Sequence, residues 1–256
     1  MPRSRIVTLV LSACLLTACG SGGTSSSPSS TARSSVPSTT TIAPTTTSAS
    51  ARSLGHYVAL WPFRSATEVQ SWMQSYRSST QDPWHLDAAT TALRFTASYL
   101  GLKEIDVVVK TTMTSTGAHV SVGYHPTTGR TSTAAVIHLV RWGAEGDAPW
   151  EVVGTDDTTF TLTTPAYGAT VSSPLRVGGA ITGVDENIRV TVLQPSSASP
   201  LGTFCCQAAG GDVSPWSATV TFAHATDPVV TVVATTGGHV QSVERFTVTG
   251  GPAGTG

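Results

Sequence analysis

After Gly101 the spacing of apolar residues drops from a helical period to a period of two and keeps it almost to the end of the chain. Side chains that alternate inside and outside belong on strands half-buried against a core, so most of this chain has to form sheet. Only the stretch before Gly101 has helical signals. Ser65-Ala66-Thr67-Glu68 is a capping box, and Val69, Trp72, Met73 and Tyr76 follow on one helical face. Asp87 reads as the N-cap of a second helix. This helix carries Ala89, Leu93 and Leu100 beside Ala92, Phe95 and Tyr99, stops at Gly101, and is apolar on both faces. Strands are expected at 105–109, 120–124, 134–140 and 150–153, separated by Gly, Pro and Thr turns. Two helices followed by a strand meander predict an α+β domain over 54–157, with the two helices on one face of an antiparallel sheet. From Thr158 onward strands are expected at 160–162, 175–181, 188–193, 203–206, 218–222, 229–234 and 245–248, and the expectation for 158–250 is an all-β sandwich followed by a short tail, 251–256.

The head of the chain has a different design. Arg3 and Arg5 precede an apolar run from Ile6 to Leu16, too short to remain in a bilayer as a spanning helix, and small residues follow. The tetrapeptide Leu16-Thr17-Ala18-Cys19 resembles the lipobox of bacterial lipoproteins. That resemblance implies a signal peptide over 1–19, cleavage before Cys19, and lipidation of the Cys19 thiol, which anchors the chain in the cell membrane facing the extracytoplasmic side. Residues 20–53 are almost all Ser, Thr, Ala, Pro and Gly, a composition that cannot bury a core and reads as a disordered tether. Its Thr39–Thr41 and Thr45–Thr47 stretches are acceptor-rich for O-linked sugars, but a bare spacer accounts for them.

All 15 acidic residues follow the tether, whereas Arg3, Arg5, Arg33 and Arg52 of the 14 bases do not, so the folding region is net negative. That balance argues against a nucleic-acid partner. Of the four cysteines, Cys14 leaves with the signal and Cys19 is lipidated, so the adjacent pair Cys205-Cys206 remains, too few for a disulfide framework. On a regular strand their side chains point to opposite faces, and two small half-buried residues are expected rather than a redox pair.

The later region resembles the bacterial spore germination immunoglobulin-like domain. The resemblance rests on Thr164-Pro165, Gly168, the run from Val171 through Ser173-Pro174-Leu175 to Gly178-Gly179, Gly183, Glu186, the strand Ile188–Leu193, and Trp216-Ser217 leading into 218–222. It implies an immunoglobulin-like sandwich. Pro174 suits the opening of an edge strand, and Gly178 and Gly179 permit a bulge or close turn. Residues 54–155 resemble the front half of uncharacterised lipoproteins from high-GC Gram-positive bacteria, through Trp61-Pro62-Phe63, Pro83-Trp84-His85-Leu86-Asp87 and Pro149-Trp150-Glu151-Val152-Val153-Gly154. Their order of helices, then sheet, also resembles the nuclear-transport-factor-like cone folds.

No nucleophile elbow and no His-Glu-x-x-His helix occurs among the serines and the seven histidines (56, 85, 119, 125, 138, 224 and 239), so no catalysis and no cofactor is expected. The acids Asp156-Asp157 and Asp185-Glu186 lack the dense oxygen spacing of a calcium loop and read as solvated turn carboxylates. Five of the six tryptophans (61, 72, 84, 142 and 150) fall in the first region. Trp72 and Trp150 sit at core positions, which leaves Trp61 and Trp84, each beside a proline, and Tyr57 as candidates for a ligand pocket. The functional expectation is a non-catalytic, lipid-anchored envelope protein that binds another envelope protein through its immunoglobulin-like part, or packs that part against its own first region. Binding of cell-wall glycan or a small ligand by Trp61, Trp84 and Tyr57 is the alternative, and a wall-modifying hydrolase comes third.

Overall fold

The computed structural model describes residues 53–254, apart from the side chains of Ser53 and of residues 184–186. The signal sequence, Cys19 and the tether up to residue 52 lie outside the described residues, and all those described belong to one compact unit.

A short hairpin, β1 (Ser53–Leu54) and β2 (Tyr57–Val58), opens the fold. Helix α1 (Ala66–Ser79) begins where the capping box places it: Ser65 is the N-cap, and its hydroxyl accepts from the Glu68 amide at 3.1 Å. Arg77 in its last turn pairs with Asp147 and Glu145, tying the helix to the loop between two later strands. After a 3₁₀ turn (Pro83–Leu86), α2 (Ala88–Arg94) starts at Asp87, whose carboxylate accepts from the Thr90 amide at 2.7 Å. A π-helical turn, Phe95–Tyr99, continues it, and Gly101 ends the helical path at φ +76°, where a side chain would be strained.

Next come β3 (Val107–Met113), β4 (Gly117–Tyr124), β5 (Ser132–Arg141) and β6 (Trp150–Thr155), an antiparallel sheet in the order β3-β4-β5-β6. Helix α2 and the π-turn after it cross one face of the sheet and bury Ala88, Ala92 and Phe95 against Val120, Val122, Ile137 and Leu139. The outer side of β6 bonds to residues 60 and 61: the Leu60 amide donates to Val152 O and the Val152 amide to Trp61 O.

The later region departs from seven short strands. It has four: β7 (Leu175–Leu193), β8 (Gly202–Val220), β9 (Val229–Thr236) and β10 (Arg245–Pro252), in the order β10-β9-β7-β8. The expected strands 175–181 and 188–193 merge into β7, and 203–206 and 218–222 merge into β8, because the glycines between them act as bulges rather than turns. The register shifts on both sides of Gly183, where a Cβ would come within 2.6 Å of the Arg245 guanidinium. Gly178 and Gly179 admit residues 161–164, whose amides donate to Gly178 O and Ala180 O; a Cβ at Gly179 would collide with Thr161 O. The expected strand at 160–162 is therefore reduced to isolated bridges against β7. At the C-terminus β10 runs into the expected tail as far as Pro252.

β9 is buried on both faces. Val230, Val232 and Ala234 join Phe160, Leu162, Val177, Val190 and Trp216 in one core. Val229 and Val233, with Leu193, Phe246 and Val248, enter the core of the first region beside Leu60, Phe95 and Val152. Tyr99 hydroxyl donates to Thr231 Oγ1 across the same boundary.

A shared core predicts shared unfolding. Phe246 is 1% exposed in the later region, and Phe246→Ala should cost about 3–5 kcal/mol. The loss should appear in full in the tryptophan fluorescence transition, which reports chiefly on residues 54–157; an unchanged transition would mean that the two regions fold independently.

Candidate functional site

Two clusters of chemically active side chains stand out. The first arises from strand register. His119 on β4 lies directly opposite His138 on β5, and both point away from the core that Ala118, Val120, Ile137 and Leu139 form. Their rings stack with centroids 4.5 Å apart at 21°. On the next strand the partner of His138 is Gly154, beside a register shift at His138/Leu139. Asp156 follows two residues later, held by its own amide, which donates to Val136 O at 2.9 Å. Its carboxylate reaches both rings: His119 Nδ1 lies 2.6 Å from Oδ2, and His138 Nδ1 lies 3.9 Å from Oδ1. A carboxylate only accepts, so the Nδ1 of His119 carries the proton.

Burial holds the pKa of His138 below the usual histidine value, and the charges of His119 and His56 add to this, while Asp156 opposes them. Tyr57 meets the His138 ring edge-on at 5.0 Å and lies tilted against His56, with ring centroids 4.2 Å apart. His138 and Tyr57 also line a cavity of about 410 Å³ at the seam of the two sheets, with Gly154, Tyr167, Thr247 and Thr249. Tyr167 closes one wall: its hydroxyl accepts from the Val58 amide and donates to Val58 O, and burial pushes its pKa up to about 12.

The second cluster is aromatic. Trp61 and Trp84 stack at 5.4 Å, and Trp61 also stacks on Tyr99 at 6.2 Å. The Arg94 guanidinium sits 4.7 Å over the Trp84 ring. Trp72 packs on Tyr76 and His85, and His85 stacks on Phe63 at 4.7 Å. A cleft of about 430 Å³ opens among Trp61, Phe63, Trp72, Trp84, His85 and Pro195. Two buried nitrogens on its wall, Trp72 Nε1 and His85 Nδ1, have no hydrogen-bond partner among the described residues.

Of the residues singled out from sequence, Trp61 and Trp84 therefore share a cleft, whereas Tyr57 lies with His138 in the other cluster. Trp150 is core, as expected, and its Nε1 donates to Leu86 O. Cys19 lies outside the described residues. Cys205 and Cys206, expected to face apart, are joined as a vicinal disulfide. That expectation assumed a trans peptide, and the bond between them is cis, with Cα atoms 3.0 Å apart. Asp156 was expected as a solvated turn carboxylate and is instead half-buried against His119. The His119, His138 and Asp156 grouping was not read from sequence. The available signal was partial: His119 alternates with Ala118, Val120 and Val122 on its strand, whereas His138 shares its phase with Val136 and Val140 and looks like one more apolar-strand position.

Comparison with family models, with curated proteins and with solved structures gave no match for this chain.

His85 makes the aromatic cluster sensitive to acid. It is 7% exposed, and burial lowers its pKa to about 4, with the Arg94 charge acting in the same direction. Below about 6.5 the unfolded chain takes up a proton that the folded chain refuses. Stability is thus complete above pH 6.5 and falls by on the order of 3 kcal/mol as the pH drops to about 4. Urea unfolding at several pH values should show that His85→Phe, which keeps the ring contacts, loses that much less across this window. A variant that tracks the parent would remove His85 as the cause.

Proposed function

We propose that this chain is a non-catalytic lipoprotein of the bacterial cell envelope, anchored through Cys19 on the extracytoplasmic face, that binds another envelope protein by strand addition along β8. In this reading residues 158–250 are an immunoglobulin-like module of the spore germination kind, and residues 20–53 carry the folded part away from the membrane. The observation that carries it is the edge of the second sheet. β8 is 19 residues long and pairs only with β7 among the described residues. Exposed edges are usually short, or protected by charge or proline, but residues 202–211 contain neither. The bulge at Cys206 interrupts this stretch, leaving backbone groups on either side of it for a partner strand. The faces of the same sheet are already used, one by the first region and one by the segment that carries Phe160, Leu162 and Val171.

Photocrosslinking probes at the exposed positions Thr203 and Ala208 of the membrane-anchored protein should capture one recurrent protein. Thr203→Lys/Ala208→Lys should reduce capture by about tenfold or more without lowering the unfolding midpoint, because charges on an edge oppose pairing. Equal capture from a probe at Gln74 on α1 would defeat the proposal, as would no capture at all.

The aromatic cleft supports a second reading, in which it binds a cell-wall glycan or a small planar ligand. Its support is the stacked Trp61–Trp84 pair on the cleft wall beside Arg64 and Glu68, a flat surface with polar groups at its rim. Tyr57 has no part in this site. Wall fragments should change the tryptophan emission of the parent, and Trp84→Ala should fold and lose the response. A Trp84→Ala protein that unfolds would instead assign Trp84 to packing.

A further inference from the structure

We propose that His119, His138 and Asp156 bind one divalent first-row transition-metal ion of the zinc type. These residues come from three neighbouring places in the first sheet, β4, β5 and the end of β6, and their ligand atoms all lie within 4.8 Å of one another. Two imidazoles with one carboxylate suit zinc, copper, nickel or iron, whereas calcium and magnesium prefer all-oxygen sets.

The distances fit an ion between the donors. Bonds of about 2.0–2.2 Å in tetrahedral geometry put neighbouring donor atoms roughly 3.3 Å apart. The two nitrogen–oxygen separations, 2.6 and 3.9 Å, fall on either side of that value, so each needs to change by less than an ångström. The backbone is already committed: His119 and His138 are direct cross-strand partners, and the Asp156 amide is fixed to Val136 O.

Charge supports the same reading. Among the described residues the ion pairs of Asp156 are both to histidine, and the groups that act on His138 are His119, Asp156 and His56, with no lysine or arginine among them. No built-in cation therefore competes for the position. Coordination through His119 Nδ1 requires the proton on that atom to leave it, and the neutral ring then carries its proton on Nε2. Three protein ligands leave at least one coordination position, and since His138 lines the seam cavity, a water or small anion there can fill it.

The test is a Co(II) titration of the full, untagged chain, solubilised in detergent and stripped with chelator. Visible absorption should saturate at one Co(II) per chain and be displaced by one equivalent of Zn(II). Zn(II) at about a hundredfold excess over Kd should raise the unfolding midpoint by roughly 5–10 °C. His119→Gln and His138→Gln should each weaken binding by about tenfold or more, while His125→Gln and His239→Gln, at positions outside the cluster, leave it unchanged. Circular dichroism checks folding, and if His138→Gln misfolds, the more exposed His119 carries the test. Absence of a one-to-one Co(II) band, or unchanged affinity in the His119→Gln and His138→Gln variants, would overturn the proposal and leave an aspartate–histidine pair without metal.

Discussion

The packing of β9 and β10 against the helix-and-sheet region is the contact on which the rest of the molecule depends. A central strand such as β9, apolar on both phases, is stable only when both faces are covered. Phe160, Leu162 and Val171 cover one face, and Leu60, Phe95 and Val152 complete the cover on the other. Because β10 must face the first region, its edge comes to lie beside β6, where Thr155 Oγ1 accepts from the Val248 amide at 2.8 Å. The seam cavity, the position of residues 156 and 157, and the outer edge of β8, unpaired among the described residues, all follow from that docking.

The same docking explains why the two candidate surfaces are so different. The aromatic cleft is assembled mostly from residues 61–85, the segment before α1, the helix itself and the 3₁₀ turn, with Pro195 added from the later region, and its rings serve as core on one side and as surface on the other. A tryptophan in that position brings area and rigidity together, so packing and recognition draw on the same side chain. The β8 edge offers no special side chain, only backbone groups that no neighbouring strand among the described residues has used.

Local signals were legible wherever they act over three or four residues. Ser65 and Asp87 cap the helices they were expected to cap, and Gly101 ends the second. The strands of the first sheet differ from expectation mainly at their ends. The later region was read as more fragmented than it is, because a glycine that bends a strand and a glycine that ends one look alike in sequence; only the approach of Arg245 to Gly183 and of Thr161 to Gly179 separates the two cases. The second-sheet segment at 160–164 is too weakly paired to be the strand its composition suggested. The histidine–aspartate cluster was beyond reach for another reason. His119 and His138 are 19 positions apart in sequence and meet only through the β4–β5 register, and Asp156 joins them only through the bulge at 138/139.

That register has a further consequence. Side chains on a strand change face with every residue, so a slip of one position between β4 and β5 would take one histidine out of reach of the other and turn an apolar neighbour to the polar face. The cluster thus exists in a single alignment of the sheet. Whatever it holds acts as a bolt across three strands, favouring the correct alignment over every shifted one, and makes occupancy of the site a sign that the first sheet has assembled correctly.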